Sequence, residues 1–198
     1  MSRVRVGVLI SGRGSNMEVL IAAARDPAYP AEIALVVSNR PDAPGLDKAT
    51  AAGIPTLAVD QKAFPGDREG HERTIDWALR EAGVELVALA GYMRLLSPFL
   101  VRAWAGRMVN IHPSLLPEFP GTNSHAEVLA AGRDKSGCTV HLVTEGMDEG
   151  PIIAQAEVPV LSTDTETSLA ARVLEQEHRL YPRVIADLAR EIAAERVS

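Results

Sequence analysis

Cysteine, aromatic residues and long hydrophobic runs are all scarce in this sequence. Cys138 is the only cysteine in the 198 residues, which excludes a disulfide bond within the chain and a cysteine-based metal cluster. Aromatic residues make up 4% of the chain, so aliphatic side chains must supply most of a hydrophobic core. No run approaches the roughly 20 apolar residues that cross a bilayer. We therefore expect a reducing, cytoplasmic setting, no signal peptide and no membrane partner.

Basic residues are outnumbered by acidic ones. The 20 lysine and arginine residues and the 26 aspartate and glutamate residues give a formal net charge of −6. Because surfaces that bind nucleic acids are basic, we expect no nucleic-acid partner. With 46% hydrophobic and 23% charged residues, the composition is typical of a globular protein. The length fits one domain, predicted over residues 1–198, in either a monomer or a homodimer.

The sequence does contain a regular alternation of β-branched runs and helical stretches. Strands are predicted at residues 4–10, 33–38, 55–59, 86–90 and 108–112. Helices are predicted between them, at residues 15–24, 46–52, 69–82 and 97–105. Strands that alternate with helices form parallel βαβ units, and near-continuous apolar strands are covered on both faces. The pattern predicts an α/β fold with a doubly wound, mostly parallel sheet.

The pattern changes after Pro113. Two further strands are predicted at residues 137–144 and 152–160, and the short connection between them favours a late antiparallel pair. A last helix is predicted from residue 167, with a kink or a break at Pro182. Because ligands of doubly wound sheets bind beyond the carboxyl ends of the strands, the loops after the first, fourth and fifth strands form the candidate site.

A glycine-rich loop, defined here as residues 11–16, follows the first strand with the sequence Ser-Gly-Arg-Gly-Ser-Asn. Glycines let the backbone approach an anion, and the N-terminus of the next helix favours a phosphate. A tight turn without a ligand is the alternative. A NAD site is disfavoured, because Met17 replaces the third glycine of a dinucleotide fingerprint and the second strand ends at Asn39 without an acidic residue.

The fifth strand ends in the segment Asn110-Ile111-His112-Pro113, followed by Ser-Leu-Leu-Pro. Residues two apart on a strand point to the same face, so Asn110 and His112 are expected side by side. An amide can donate to a developing oxyanion, and an imidazole can carry a proton or a positive charge, which suits chemistry at a carbonyl group. The alternative is a core histidine whose hydrogen bonds are satisfied, but the flanking prolines favour a rigid site loop.

Asp148 lies in the predicted loop between the two late strands, in the sequence Met-Asp-Glu-Gly-Pro. A carboxylate beside His112 would orient the ring and stabilise the imidazolium. The sequence alone does not place Asp148 there, and a solvated turn acid is an equal alternative.

Several of these segments resemble the folate-dependent phosphoribosylglycinamide formyltransferases of purine synthesis. The resemblance covers nearly the whole chain, and its most specific element is Asn-x-His-x-Ser-Leu-Leu-Pro. The segments that carry it are residues 10–16, 89–97, 110–117, the Asp148 loop and 176–178.

The resemblance implies transfer of a formyl group from 10-formyltetrahydrofolate, as co-substrate, to the primary amine of 5'-phosphoribosylglycinamide, without a metal. It implies a catalytic trio of Asn110, His112 and Asp148. It implies substrate binding by Gly14, Ser15, Asn16 and Glu177. It implies a folate pocket lined by Arg68, Met93, Arg94, Leu95, Leu96, Asn110 and Thr144. Residues 1–105 then form a phosphate-binding, Rossmann-like half, and residues 106–198 form a catalytic and folate-binding half.

One segment departs from the family pattern. Residues 120–125 are Pro-Gly-Thr-Asn-Ser-His, whereas the family commonly has Pro-Gly-Leu, then His or Asp, then Thr-His. Asn123 therefore lacks an ionisable side chain, which affects the fine tuning of rate or substrate contact more than the reaction type.

Other functions remain open from the residues alone. A formyl-folate hydrolase or a formyltransferase acting on a charged tRNA or an amino-sugar uses the same core, although those enzymes usually carry an additional domain. A nucleotide- or phosphosugar-binding module without chemistry would explain the glycine-rich loop but not the catalytic trio.

Four further residues are interpreted as structural or peripheral. His71 is expected at the surface or at a loop edge, and His141 is expected to be a structural residue of a strand. Trp77 and Trp104 are both expected in the core.

Overall fold

Seven strands form a single sheet in a computed structural model of the protein, which describes residues 2–196. The strands are β1 (Val4–Ile10), β2 (Ala31–Ser38), β3 (Thr56–Ala58), β4 (Leu86–Leu89), β5 (Met108–His112), β6 (Lys135–Leu142) and β7 (Ile152–Pro159). The helices are α1 (Ser15–Ala24), α2 (Pro44–Ala51), α3 (Arg68–Glu81), α4 (Pro98–Ala103), α5 (Ser124–Ala130) and α6 (Glu166–Glu195), with a 3₁₀ turn at Gln61–Ala63. The predicted domain ends, residues 1 and 198, lie outside the described residues.

The strand order is β3-β2-β1-β4-β5-β6-β7. The first five strands in this order pair in parallel, whereas β6 runs antiparallel to both β5 and β7. The chain moves outward from β1 to β3 on one side and from β4 onward on the other. This arrangement creates a switch point between β1 and β4, where ligands of such sheets bind. The predicted α/β class, with a late antiparallel pair, is confirmed.

Both faces of the sheet are buried along its central strands β1, β2 and β4. The sequence of β1 is almost entirely apolar because both of its faces are covered. Val8 packs in one hydrophobic cluster, and the neighbouring Leu9 packs in the other. Helices α1 and α6 contribute to the first cluster, and α3 and α4 contribute to the second. Aliphatic side chains dominate both clusters, as the low aromatic content requires.

The burial of residues in helix α3 differs from that expected for His71 and Trp77. Ile75 and Leu79, four residues apart, are fully buried, and His71 lies one turn earlier on the same stripe and is also fully buried. The prediction of a surface His71 was therefore wrong. Trp77 lies off this stripe and is 64% exposed, so its predicted core position was also wrong, whereas Trp104 is buried as predicted.

Helix α6 runs without interruption through Pro182 for 30 residues, so the predicted break does not occur. The Tyr29 hydroxyl donates a hydrogen bond of 2.6 Å to the Pro182 carbonyl, which ties the helix to the segment after α1. Among the helices of residues 2–196, none is both long enough and apolar enough to cross a membrane.

Candidate active site

A cavity of about 590 Å³ opens at the carboxyl ends of the parallel strands. Most of the residues predicted for the site line it: Asn16, Met93, Arg94, Leu95, Leu96, Asn110, His112, Thr144, Asp148 and Glu177. Gly14, Ser15 and Arg68 do not. Gly14 caps α1, Ser15 is the first residue of that helix, and Arg68 is the exposed first residue of α3.

Asp148 is held against His112 by the loop between β6 and β7. Its Oδ2 atom lies 3.4 Å from Nδ1 of His112, and the same oxygen accepts a hydrogen bond of 3.0 Å from the backbone N–H of Gly121. Asp148 has φ 54°, a left-handed conformation that is uncommon for a residue with a side chain. The structure thus favours the pairing with His112 over a solvated turn acid.

The opposite edge of the His112 ring contacts a backbone carbonyl. Nε2 lies 3.0 Å from the oxygen of Phe119, which can only accept, so Nε2 carries a hydrogen atom. The hydroxyls of Ser114 and Ser124 donate to the same oxygen, at 3.0 and 2.9 Å. These contacts fix the plane of a ring that is 5% exposed and direct its Nδ1 atom toward Asp148.

The orientation of the Asn110 amide follows from its contact with His141. His141 Nδ1 donates to the Leu142 carbonyl at 2.9 Å, so its Nε2 atom is an acceptor in the neutral ring. Asn110 Nδ2 lies 3.2 Å from that acceptor and donates one hydrogen to it. Burial lowers the pKa of His141 and outweighs the opposing charge of Asp148. One hydrogen of the Asn110 amino group therefore remains for a ligand.

His141 is the site residue that sequence analysis missed. It lines the cavity and pairs directly with Asn110 across β5 and β6. The two side chains meet only because of the register between the antiparallel strands β5 and β6, and that register could not be predicted from the sequence.

Helix α2 contacts the glycine-rich loop through its backbone. The Gly45 N–H donates to the Gly12 carbonyl at 3.0 Å, and Gly14 has φ 70°, which glycine adopts without strain. Asn16 Nδ2 donates to Glu177 at 2.7 Å, while its buried Oδ1 has no hydrogen-bond partner among the described residues. Burial raises the pKa of Glu177 despite that hydrogen bond.

A second loop, the rim loop, is defined as residues 91–97 and lies between β4 and α4. Its Met93 and Leu95 side chains are 68% and 56% exposed, and Leu96 is half-buried. All three line the cavity, whereas Leu100 is fully buried in the core. The rim loop thus supplies an apolar wall that is open to a flat, hydrophobic ligand.

No cluster of three or more potential metal-ligating side chains occurs within residues 2–196. Asn110, His112 and Asp148 bring an amide donor, an imidazole and a carboxylate together in the cavity.

Comparisons with known proteins agree with this arrangement. The family described as formyl transferase matches residues 4–185. Phosphoribosylglycinamide formyltransferase of Escherichia coli is 43% identical over 92% of this chain and 86% of its own length. Trifunctional purine biosynthetic protein adenosine-3 of Drosophila melanogaster is 50% identical over 94% of this chain, which spans 14% of that longer relative. The crystal structure of phosphoribosylglycinamide formyltransferase from Brucella melitensis has a TM-score of 0.90 and 54% identity, and the match covers 95% of this chain and 96% of that one.

The fold and the cavity together define an α/β protein that brings an amide, an imidazole and a carboxylate together at the carboxyl ends of its strands. Within that class, the chain belongs to the formyl transferase family, with phosphoribosylglycinamide formyltransferases among its relatives. The resemblance seen in the sequence is confirmed.

Proposed function

We propose that the protein transfers the formyl group of 10-formyltetrahydrofolate to the primary amine of 5'-phosphoribosylglycinamide, a step of de novo purine biosynthesis. The observation that carries the proposal is the convergence of Asn110, His112 and Asp148 on one cavity. Relatives that match most of the chain bear the name of this activity, which supports the same assignment.

The proposed reaction begins when the amine attacks the formyl carbon, so that the carbonyl oxygen becomes an oxyanion. Asn110 donates to this oxyanion the amide hydrogen that His141 leaves free. His112, as an imidazolium, adds a positive partner, and Asp148 stabilises that charge. The bond between the formyl carbon and the folate nitrogen then breaks. The proton lost by the attacking amine passes through water to the departing folate nitrogen.

The substrate phosphate is assigned to Gly14, Ser15 and Asn16, because backbone N–H groups at the start of α1 favour an anion. Glu177 is assigned to the ribose or glycinamide end of the substrate, since it lines the cavity beside Asn16.

The folate is assigned to the rim loop and to Thr144, where the cavity wall is largely apolar. Arg68 remains a proposed folate contact, although it lies outside the lining of the cavity.

Residues 1–198 are proposed to act as one functional domain with small-molecule substrates. Within it, 1–105 is the phosphate-binding half, and 106–198 is the catalytic and folate-binding half. We place the protein in the cytoplasm, as a monomer or a homodimer.

The test is release of folate from a formyl-folate whose absorbance changes on deformylation, with and without 5'-phosphoribosylglycinamide. The proposal predicts release that depends on the amine. Release at an equal rate without the amine would indicate a hydrolase and would contradict the assigned acceptor. If the formyl-folate is unchanged in both mixtures, formyl transfer to this amine is refuted.

A further inference from the structure

Asn39 directly follows β2, at the place where a dinucleotide-binding protein carries an acidic residue. Here the side chain is turned inward and is 1% exposed. It lies beside Ser11, the first residue of the glycine-rich loop, which is 4% exposed and does not line the cavity. These two buried polar residues therefore need a role other than direct contact with a ligand in that cavity.

Ser11 joins the two substrate loops through one hydroxyl group. Its Oγ donates to Asn39 Oδ1 at 2.6 Å and accepts a hydrogen bond of 2.8 Å from the backbone N–H of Met93. Asn39 Nδ2 in turn donates to Gln61 Oε1 at 2.9 Å. Arg94 Nη1 reaches the same Gln61 oxygen at 3.5 Å. Two consecutive residues of the rim loop are thus tied to the ends of β1 and β2.

The far end of the rim loop has a separate anchor. The fully buried Glu72 accepts hydrogen bonds from both the backbone N–H and the hydroxyl of Ser97. This contact involves neither the glycine-rich loop nor Asn39. Loss of the Ser11 hydroxyl would therefore detach Met93 from the glycine-rich loop, while the far end of the rim loop stays attached to α3.

We propose that Ser11 is a positioning residue that couples the two substrate sites, so that binding of the phosphorylated amine favours binding of the folate and the reverse. The inference rests on the proposed function. A ligand that orders the glycine-rich loop also fixes Ser11 and, through its hydroxyl, the rim loop. The rim loop then loses less conformational entropy when the second ligand binds. Coupling of this kind must be equal in both directions.

Two variants test the coupling. Ser11→Ala removes the shared hydroxyl and leaves the Met93 N–H and Asn39 Oδ1 without this partner. Ser38→Ala is the matched control, because Ser38 is a buried serine at the same edge whose hydroxyl contacts only the backbone of Arg40. The probes are 5'-phosphoribosylglycinamide and 5,8-dideazafolate, which carries no formyl group to transfer. The dissociation constant of each is measured alone and with the other at saturation.

We expect the wild-type protein and Ser38→Ala to bind each probe about fivefold or more tightly when the other is present. Ser11→Ala should bind each probe with the same affinity whether or not the other probe is present. Its turnover number at saturating substrates should fall by a much smaller factor than its affinity for the substrates. If Ser11→Ala does not fold, Gln61→Ala provides the second variant, because it removes the oxygen that both Asn39 and Arg94 contact and should reduce the coupling.

Independent binding of the two probes to the wild-type protein would overturn the inference. Coupling as strong as in the wild type would also overturn it if found in Ser11→Ala, or in Gln61→Ala where Ser11→Ala does not fold. These outcomes leave the proposed function intact. Failure of the wild-type protein to bind either probe would instead contradict the proposed function, and the inference with it.

Discussion

At His112, the proposed chemistry depends on which neighbour each ring nitrogen faces. Nε2 faces the Phe119 carbonyl, whereas Nδ1 lies 3.4 Å from the carboxylate of Asp148. Asp148→Asn keeps the shape of the side chain and removes its charge. We expect the turnover number to fall by about 10², near the effect of losing one oxyanion donor.

The control for this variant is Glu149→Gln, which neutralises the neighbouring, exposed acid of the same loop. Its turnover number should stay close to that of the wild-type protein. Near wild-type turnover in Asp148→Asn, measured at saturating substrates, would show that Asp148 has no part in the reaction.

His141 is expected to act through Asn110. His141→Phe removes the acceptor that holds the amide, so the amide is free to present its oxygen to the cavity. The turnover number should then fall by about 10- to 100-fold, approaching the loss of one oxyanion donor, with little change in the Michaelis constants. His141→Gln, whose side-chain oxygen can accept from Asn110, should recover part of the rate. Equal rates in the two variants would contradict this role.

At this scale, residues that share one strand were predictable from local patterns, Asp148 was predicted through the family resemblance, and the role of His141 was missed. Asn110 and His112 were predicted to lie side by side because alternate residues of a strand share a face. Asp148 and His141 reach the same place only through the β6–β7 loop and the β5–β6 register. Neither feature follows from local residue patterns, so His141 was taken for a structural residue.

At the scale of elements, the contact between α2 and the glycine-rich loop leads to a further prediction. A Cβ atom at Gly45 would lie 2.9 Å from the Gly12 carbonyl oxygen and 2.5 Å from the Ile10 side chain. Gly45→Ala should therefore displace the loop, lower the free energy of unfolding by about 1–3 kcal/mol and weaken binding of 5'-phosphoribosylglycinamide. Denaturant unfolding and the Michaelis constant measure the two effects.

Asp47→Ala, at an exposed position of the same helix, should change the free energy of unfolding by about 0.5 kcal/mol or less. If Gly45→Ala matched this control in stability and in substrate affinity, α2 would have no role in shaping the loop.

The helices and strands were largely predictable, because the spacing of apolar residues and the residues that begin or end a helix are local features of the sequence. The bounds of β1, α1 and β5 agree with those predicted, since each is a clear apolar run or a helix after a glycine. Pro182 and Trp77 were misjudged for a tertiary reason. Packing of the long apolar stripe of α6 outweighs one lost backbone hydrogen bond, and the face that α3 buries excludes Trp77.

For the whole molecule, the buried and half-buried histidines predict how stability depends on pH. Burial lowers the pKa of His71, His125, His141 and His178. In the unfolded chain these groups titrate near pH 6.5, so below that pH the unfolded state binds more protons than the folded state. The free energy of unfolding should therefore fall as the pH falls from about 7.5 through 6.5 and below.

Thermal unfolding at about pH 7.5 and pH 5.5 measures this effect, and a lower midpoint is expected at the acidic pH. His71→Gln should reduce the difference, because it removes one of the four groups. Glu177 opposes the trend, since its raised pKa makes the folded state bind the extra proton, but it is one group against four. Midpoints that were equal, or higher at the acidic pH, would contradict the prediction.

The proposed function requires that the cavity pass a formyl group between two substrates rather than to water. The most direct test follows a carbon-13 label in the formyl group of 10-formyltetrahydrofolate by NMR, in the presence of 5'-phosphoribosylglycinamide and the protein. We expect the label to appear in the formamide of the ribonucleotide product. Recovery of the label as free formate, or its retention on the folate, would contradict it.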